Sequence, residues 1–221
     1  MPNRRTFIKN GLLFCLAGSV LSCTGRNVLT PGPKADARWA MLVDLSRCNG
    51  CQSCVVACKS RNLTAEGHFA TRIAEAEAGR YPAARITFFP TLCNHCDDPP
   101  CVRPCPTGAT WKNADGLVLT DWNRCIGDGA CIEACPYGAR FMDPRFGKAD
   151  KCDFCAERLA QGLAPACVES CPPGARLFGD LNHPEGEFAA LLEKGGLAPA
   201  RPELGLATGV LYRSAHVQEA V

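Results

Sequence analysis

Four cysteine runs limit what this chain can fold into. They are Cys48-x2-Cys51-x2-Cys54-x3-Cys58, Cys93-x2-Cys96-x4-Cys101-x3-Cys105-Pro106, Cys125-x5-Cys131-x3-Cys135-Pro136 and Cys152-x2-Cys155-x11-Cys167-x3-Cys171-Pro172. The third run lacks one thiol. Its spacing places Asp128 where the pattern C-x2-C-x2-C-x3-C-P has its second cysteine. Of the 17 cysteines, Cys15 and Cys23 belong to the N-terminal segment, which leaves fifteen where four sets of four need sixteen. The neighbouring spacings are kept, so Asp128 is a substitution and not a slipped register.

Seventeen cysteines in 221 residues is far above ordinary usage. With 21 Gly, 17 Pro and only 7% aromatics, the chain reads as loop-rich, with a core made partly of something other than side chains. Three chemistries compete for the thiols. Disulfides are the default for an exported cysteine-rich chain. Fifteen is odd, however, and C-x2-C-x2-C crowds three thiols into one loop that few distant partners can reach. Zinc takes four ligands in a tetrahedron and uses C-x2-C half-sites, which leaves the third clustered cysteine and the Cys-Pro exit unexplained. An iron–sulfur cubane takes three ligands from one loop and its fourth from a distance, which fits all four runs. The sequence therefore favours iron–sulfur clusters. A net charge of +2 gives no electrostatic case for nucleic acid as a partner.

The first 22 residues read as a targeting segment. Arg4-Arg5-Thr6-Phe7-Ile8-Lys9 resembles a twin-arginine leader, with Asn3 in the usual Ser/Thr place, and Gly11 to Ser22 is a short apolar stretch. An ordinary secretory signal or an uncleaved anchor is the alternative. Val20-Leu21-Ser22-Cys23 resembles a lipoprotein cleavage box, with Cys23 as the lipid acceptor. The expected location is the periplasmic side of the cytoplasmic membrane, by the twin-arginine route. Without Arg4, Arg5 and Lys9 the basic count falls from 24 to 21 against 22 acids, so the positive charge belongs to targeting.

Residues 23–37 are a Pro/Gly/polar linker, 38–180 hold the four runs, and 181–221 form a cysteine-free strap or tail. Strands are predicted at 38–44, at 85–89 up to Pro90, and at 117–120 after the Asp115-Gly116 turn. Residues 63–84 show no strong period. Short helices are predicted over 55–62 and over 187–194, the second ended by Gly195-Gly196. Internal repetition is plain. Asp44-x-x-Arg47-Cys48 recurs as Asp121-x-x-Arg124-Cys125, and Cys-Pro-x-Gly-Ala recurs at Cys105, Cys135 and Cys171. No general base, nucleophile or phosphate loop is visible.

Over residues 38–180 the chain resembles the four-cluster ferredoxin-like subunit of the molybdopterin oxidoreductases (the dimethyl sulfoxide reductase superfamily). Cys93-Asn-His-Cys96-Asp-Asp-Pro-Pro-Cys101, Lys151-Cys152-Asp-Phe-Cys155 and Pro165-Ala-Cys167-Val-Glu-Ser-Cys171 carry that resemblance. The segment Ala40 to Asp44 with Cys48-Asn-Gly-Cys51-Gln-Ser-Cys54 is most similar to tetrathionate, polysulfide and thiosulfate reductase subunits. It is also similar to the exported ferredoxin-like subunit of nitrite-reduction systems. The resemblance implies an α+β, loop-rich fold of two crossed ferredoxin-like modules organised around clusters. It implies a crossed ligand set: Cys48, Cys51, Cys54 with Cys171; Cys152, Cys155, Cys167 with Cys58; Cys93, Cys96, Cys101 with Cys135; and Cys105, Cys125, Cys131 with Asp128 in the vacancy. In the family the clusters lie in a row, from a molybdopterin catalytic subunit at the Cys48 end to a quinone-reactive integral membrane subunit at the Cys125 end, so the function the resemblance implies is electron relay between them and not catalysis.

The expected cofactors are three 4Fe–4S clusters plus one that is either 3Fe–4S or an Asp128-bound 4Fe–4S cluster. Asp128 has four possible fates: binding the fourth iron, leaving it out, lining a site that water completes, or marking a loop that has lost its cluster. A carboxylate is a harder ligand than a thiolate, which favours a labile or three-iron cluster. His95 reads as packing on its own loop in preference to tuning a cluster. Arg47 and Arg124 read as solvated or as offsetting cluster charge, and Trp111 reads as core. His68, His183 and His216 receive no role. The rival functions are a hydrogenase or nitrite reductase ferredoxin-like subunit and, from another class, a zinc- or disulfide-stapled exported structural protein.

Overall fold

The computed structural model describes residues 36–213, so the leader, Cys15, Cys23, most of the linker and His216 lie outside the described residues. The architecture is α+β. Its largest sheet has the order β8-β1-β10-β9, and three two-stranded ribbons, β2-β3, β4-β5 and β6-β7, surround it. The strands are β1 (Trp39–Asp44), β2 (Thr71–Ala78), β3 (Arg85–Leu92), β4 (Thr110–Lys112), β5 (Val118–Thr120), β6 (Arg140–Asp143), β7 (Lys148–Lys151), β8 (Arg176–Asp180), β9 (Leu197–Ala198) and β10 (Val210–Arg213). The helices are α1 (Ser53–Asn62), α2 (Ala130–Glu133), α3 (Ala156–Ala160), α4 (Ala166–Glu169) and α5 (Gly186–Lys194). Among the described residues, no helix is long and apolar enough to cross a membrane.

Strand β1 is buried on both faces because its two faces meet different layers. Met41 and Val43 point into the core that contains Cys54, Cys58, Cys152 and Cys167. Ala40 and Leu42 point the other way, onto Phe188 and Leu191 of α5. The period of two along a strand sorts these side chains. Gly179 of β8 is the contact point for α5: a Cβ there would sit 2.7 Å from the Phe188 ring.

The helix over 186–194 and its glycine stop agree with the sequence reading; Gly195 has φ 64. Among the described residues, the segment after it returns to the central sheet as β9 and β10. Strand β10 lies parallel to β1, with Met41 opposite Val210 and Val43 opposite Tyr212. Val210 and Tyr212 are almost wholly buried.

Two expectations fail in the 63–92 region. The stretch read as shapeless contains β2, which pairs antiparallel with β3 from Thr71↔Leu92 to Ala78↔Arg85. Pro90 does not end β3 but sits inside it, opposite Ile73. A proline lacks only the donor N–H, and a ribbon of two strands leaves every other residue's N–H facing away from the partner. The Pro90 carbonyl accepts a hydrogen bond from the Tyr212 hydroxyl at 2.9 Å, and Phe89 stacks on the Tyr212 ring at 4.4 Å. These contacts fasten the ribbon to the sheet.

Candidate functional site: four thiol groups

Every cysteine run forms the same local turn. The third residue of each loop has left-handed backbone: Gly50 (φ 73), His95 (φ 46), Gly127 (φ 77) and Phe154 (φ 55). Two of these positions require glycine for space as well. A Cβ on Gly50 would lie 2.4 Å from the Phe88 ring, and one on Gly127 would lie 2.2 Å from the Gly147 carbonyl oxygen. The other two carry rings that stack on each other, His95 on Phe154 at 3.8 Å. His95 thus does more than pack on its own loop: it joins the second run to the fourth.

The repeated sequences make repeated contacts. The N–H of Asp44 donates to the Ala175 carbonyl at 2.8 Å, and the N–H of Asp121 donates to the Ala109 carbonyl at 2.8 Å. Arg47 donates to the Gly174 carbonyl at 3.0 Å, and Arg124 donates to the Thr107 carbonyl at 2.6 Å. The first loop therefore leans on the exit of the fourth run, and the third loop leans on the exit of the second. Arg47 and Arg124 are half-exposed clamps that hold these exits in place.

The thiols press on one another across the loops. Burial raises the Cys48 thiol, with further pressure from Cys54 and Cys171. Burial pushes Cys58 up to about 12, helped by Cys167 and Cys155, and Cys152 rises for the same reasons. Burial likewise takes Cys96 to about 12, with Cys93, Cys101 and Cys135 adding repulsion. Cys131 is raised by burial and by Cys101, Cys125 and Cys105, against the pull of Arg140. Cys93, Cys96, Cys101 and Cys135 also line one cavity, together with Tyr137 and Arg140. Cys51 lies exposed on the rim of its loop, 3.4 Å from the Ser53 hydroxyl.

Without bound metal the thiols of Cys48, Cys58, Cys96, Cys131 and Cys152 favour the neutral form, because burial penalises the thiolate. A positively charged metal–sulfide core offsets that penalty and displaces the protons. Several donors around the groups have no protein partner. They are Arg140 Nε and Nη2, Arg176 Nε and the Tyr137 hydroxyl, all buried. A cluster with exposed sulfur acceptors suits such donors. All fifteen described cysteines are free thiols. Among the described residues no three His, Cys, Asp or Glu side chains converge as one metal ion demands. Four thiolates on a single zinc lie within about 4 Å of one another. The residues present fit iron–sulfur clusters better than zinc or disulfides.

Asp128 is exposed, as is Cys51 at the matching place in the first loop. The flanking backbone also matches. Gly50 and Gln52 are left-handed (φ 73 and 63), and so are Gly127 and Gly129 (φ 77 and 80). The third loop has therefore kept the shape of a ligand loop around its carboxylate. Trp111 packs against the core. His68 caps its own turn, its Nδ1 lying 2.9 Å from the Glu66 carbonyl oxygen.

Sequence reasoning missed Arg140, Arg176 and Lys151, all buried. Lys151 donates to the carbonyls of Val118 and Cys152. A signal was present: Arg140 and Arg176 each follow a Cys-Pro-x-Gly-Ala exit, where the third copy has Thr110.

A fold of four such cysteine loops defines the class of ferredoxin-like iron–sulfur proteins. Two family models described as 4Fe-4S dicluster domain match it, over residues 47–109 and 84–181. The B subunit of the tetrathionate reductase of Salmonella typhimurium is 46% identical over 179 residues, covering 79% of this chain and 72% of the relative. The B subunit of the selenate reductase of Mesobacillus selenatarsenatis is 36% identical, covering 81% and 73%. The thiosulfate reductase electron transfer subunit of Salmonella typhi is 44% identical, covering 67% and 79%. The chain belongs to the family of iron–sulfur electron-transfer subunits of the molybdopterin oxidoreductases.

Proposed function

We propose that the protein holds four clusters in two crossed ferredoxin-like modules and relays electrons between a quinone-reactive membrane subunit and a molybdopterin catalytic subunit. The observation that supports this reading is the paired, repeat-related packing of the first loop on the exit of the fourth run and of the third loop on the exit of the second. The ligand sets are Cys48, Cys51, Cys54, Cys171; Cys58, Cys152, Cys155, Cys167; Cys93, Cys96, Cys101, Cys135; and Cys105, Cys125, Cys131 with Asp128. Clusters supply one-electron storage. The chain's own residues bury most of the thiols and fix their geometry through the left-handed turns. The names of the relatives support a catalytic partner that reduces sulfur compounds or oxyanions. The leader supports export by the twin-arginine route to the periplasmic side of the membrane, with Cys23 as a candidate lipid site.

Iron and acid-labile sulfide analysis tests the cluster reading, with an expected content of about fifteen or sixteen irons per chain. About four zinc ions and no sulfide overturns it. For the fourth group we propose a three-iron or labile cluster. Asp128→Cys is expected to replace a three-iron EPR signal with a fourth cubane signal and to raise the iron count. Four cubane signatures in both proteins at unchanged potentials count against this proposal. Membrane vesicles with the co-purified partners test the relay: quinol should reduce the clusters before an acceptor is added.

A further inference from the structure

The two buried arginines stand where neighbouring thiol groups meet. Arg140 lines the cavity of Cys93, Cys96, Cys101 and Cys135, and its Nη1 lies 3.6 Å from the Sγ of Cys131 in the adjoining group. The Thr110 and Thr120 hydroxyls accept from the same nitrogen at 3.4 and 3.3 Å, while Nε and Nη2 find no protein acceptor. Arg176 is 1% exposed and holds Thr71 Oγ1 at 2.8 Å and Met41 Sδ at 3.8 Å. Met41, its partner, packs in the core that contains Cys54 of one group and Cys58, Cys152 and Cys167 of the next, so Arg176 too stands beside two groups. Both residues stand at the same place after a Cys-Pro-x-Gly-Ala exit and begin β6 and β8. No carboxylate forms an ion pair with either guanidinium among the described residues.

A buried guanidinium without a carboxylate is expensive unless another anion compensates it. Thiolate-bound clusters held by these cysteines are the anions that such positions would face. We infer that Arg140 and Arg176 are paired potential-setting cations, each shared by two adjacent clusters and each favouring the reduced state of both. Reduction adds one negative charge to a cluster, so a fixed cation in a low-dielectric core stabilises the reduced form more than the oxidised one. One arginine thus raises both potentials of a pair. Arg176 acts on the clusters of Cys48–Cys171 and Cys58–Cys167, and Arg140 acts on those of Cys93–Cys135 and Cys105–Cys131. Lys151 also bears on Cys101, although two carbonyls already satisfy its ammonium.

The inference rests on the proposed clusters, and the test separates the two. Iron and sulfide analysis of the parent chain comes first; their absence ends the cluster reading itself. With clusters present, EPR-monitored redox titration of the full-length protein compares Arg140→Met, Arg176→Met and the corresponding Arg→Lys variants. Each Met variant should lower two of the four midpoints by at least tenfold in the reduction equilibrium, about 59 mV for a one-electron couple. The two variants should move different pairs. Each Lys variant keeps the charge and should shift its pair by less than half as much. Unmoved midpoints, a single moved cluster, the same pair moved by both variants, or Lys falling as far as Met overturns the inference. If a Met variant fails to load, loss of two clusters with recovery in the Lys variant supports it, and equal loss in the Lys variant overturns it.

Discussion

At the scale of single residues, the thiols couple metal loading to pH. The buried Cys58 and Cys96 thiols are pushed up to about 12 and Cys155 to about 11, from an ordinary 9.0. In the metal-free chain the folded state therefore keeps protons that the unfolded state loses first, and its stability falls as pH rises from 9.0 towards those values. Loaded thiols are already ionised, so the same rise costs the loaded chain nothing. Urea unfolding at about pH 8 and about pH 10.5 should show a lower midpoint at the higher pH only for the metal-free chain. An equal drop in both forms contradicts this linkage. The four cysteine loops and the place of Asp128 in the third could be read in the sequence, because loop spacing is local. The repeat marks Arg140 and Arg176 by position after a Cys-Pro-x-Gly-Ala exit, but not their burial, since an arginine in a sequence is ordinarily a surface residue. Only the fold shows that the two are buried between thiol groups. His95 was half legible for the same reason: its stacking partner, Phe154, lies far along the chain.

At the scale of elements, packing decides what propensity could not. Residues 71–78 alternate weakly, yet they form β2 because β3 offers a full run of partners. Pro90 reads as a terminator until the Tyr212 hydroxyl and ring show what holds the strand through it. The helix at 186–194 was legible from its amphipathic pattern and its glycines, but not the face of the sheet that receives it. That face depends on Gly179, where β8 leaves room for Phe188. Gly179→Ala should push the ring off its seat and cost about 1–3 kcal/mol, as overpacking does. Chemical denaturation of the loaded protein measures the loss. A change within error would mean that α5 shifts freely on the sheet.

At the scale of the molecule, a strand from the far end of the described chain completes the central sheet. The cluster-bearing region and the cysteine-free region could be told apart by composition. Their union could not, because parallel pairing of β10 with β1 is a long-range choice that local sequence does not encode. A chain ending at Gly209 should lose β1's parallel partner and, among the described residues, the strand that β9 pairs with. It should purify with less than half of the parental iron, measured against the full-length protein. Full iron content in the shortened chain would show that the thiol core assembles without this strand.

Strand β1 and the first cysteine loop are made well before β10, the strand that closes their sheet. At ordinary translation rates the intervening residues take roughly 10–30 s to make. Throughout that interval the Cys48 loop has no closed sheet behind it, and its thiols stay open to oxidants and stray metals. A loop that needs β10 behind it can be loaded only after residue 213 is made, so its thiols must be kept reduced until then.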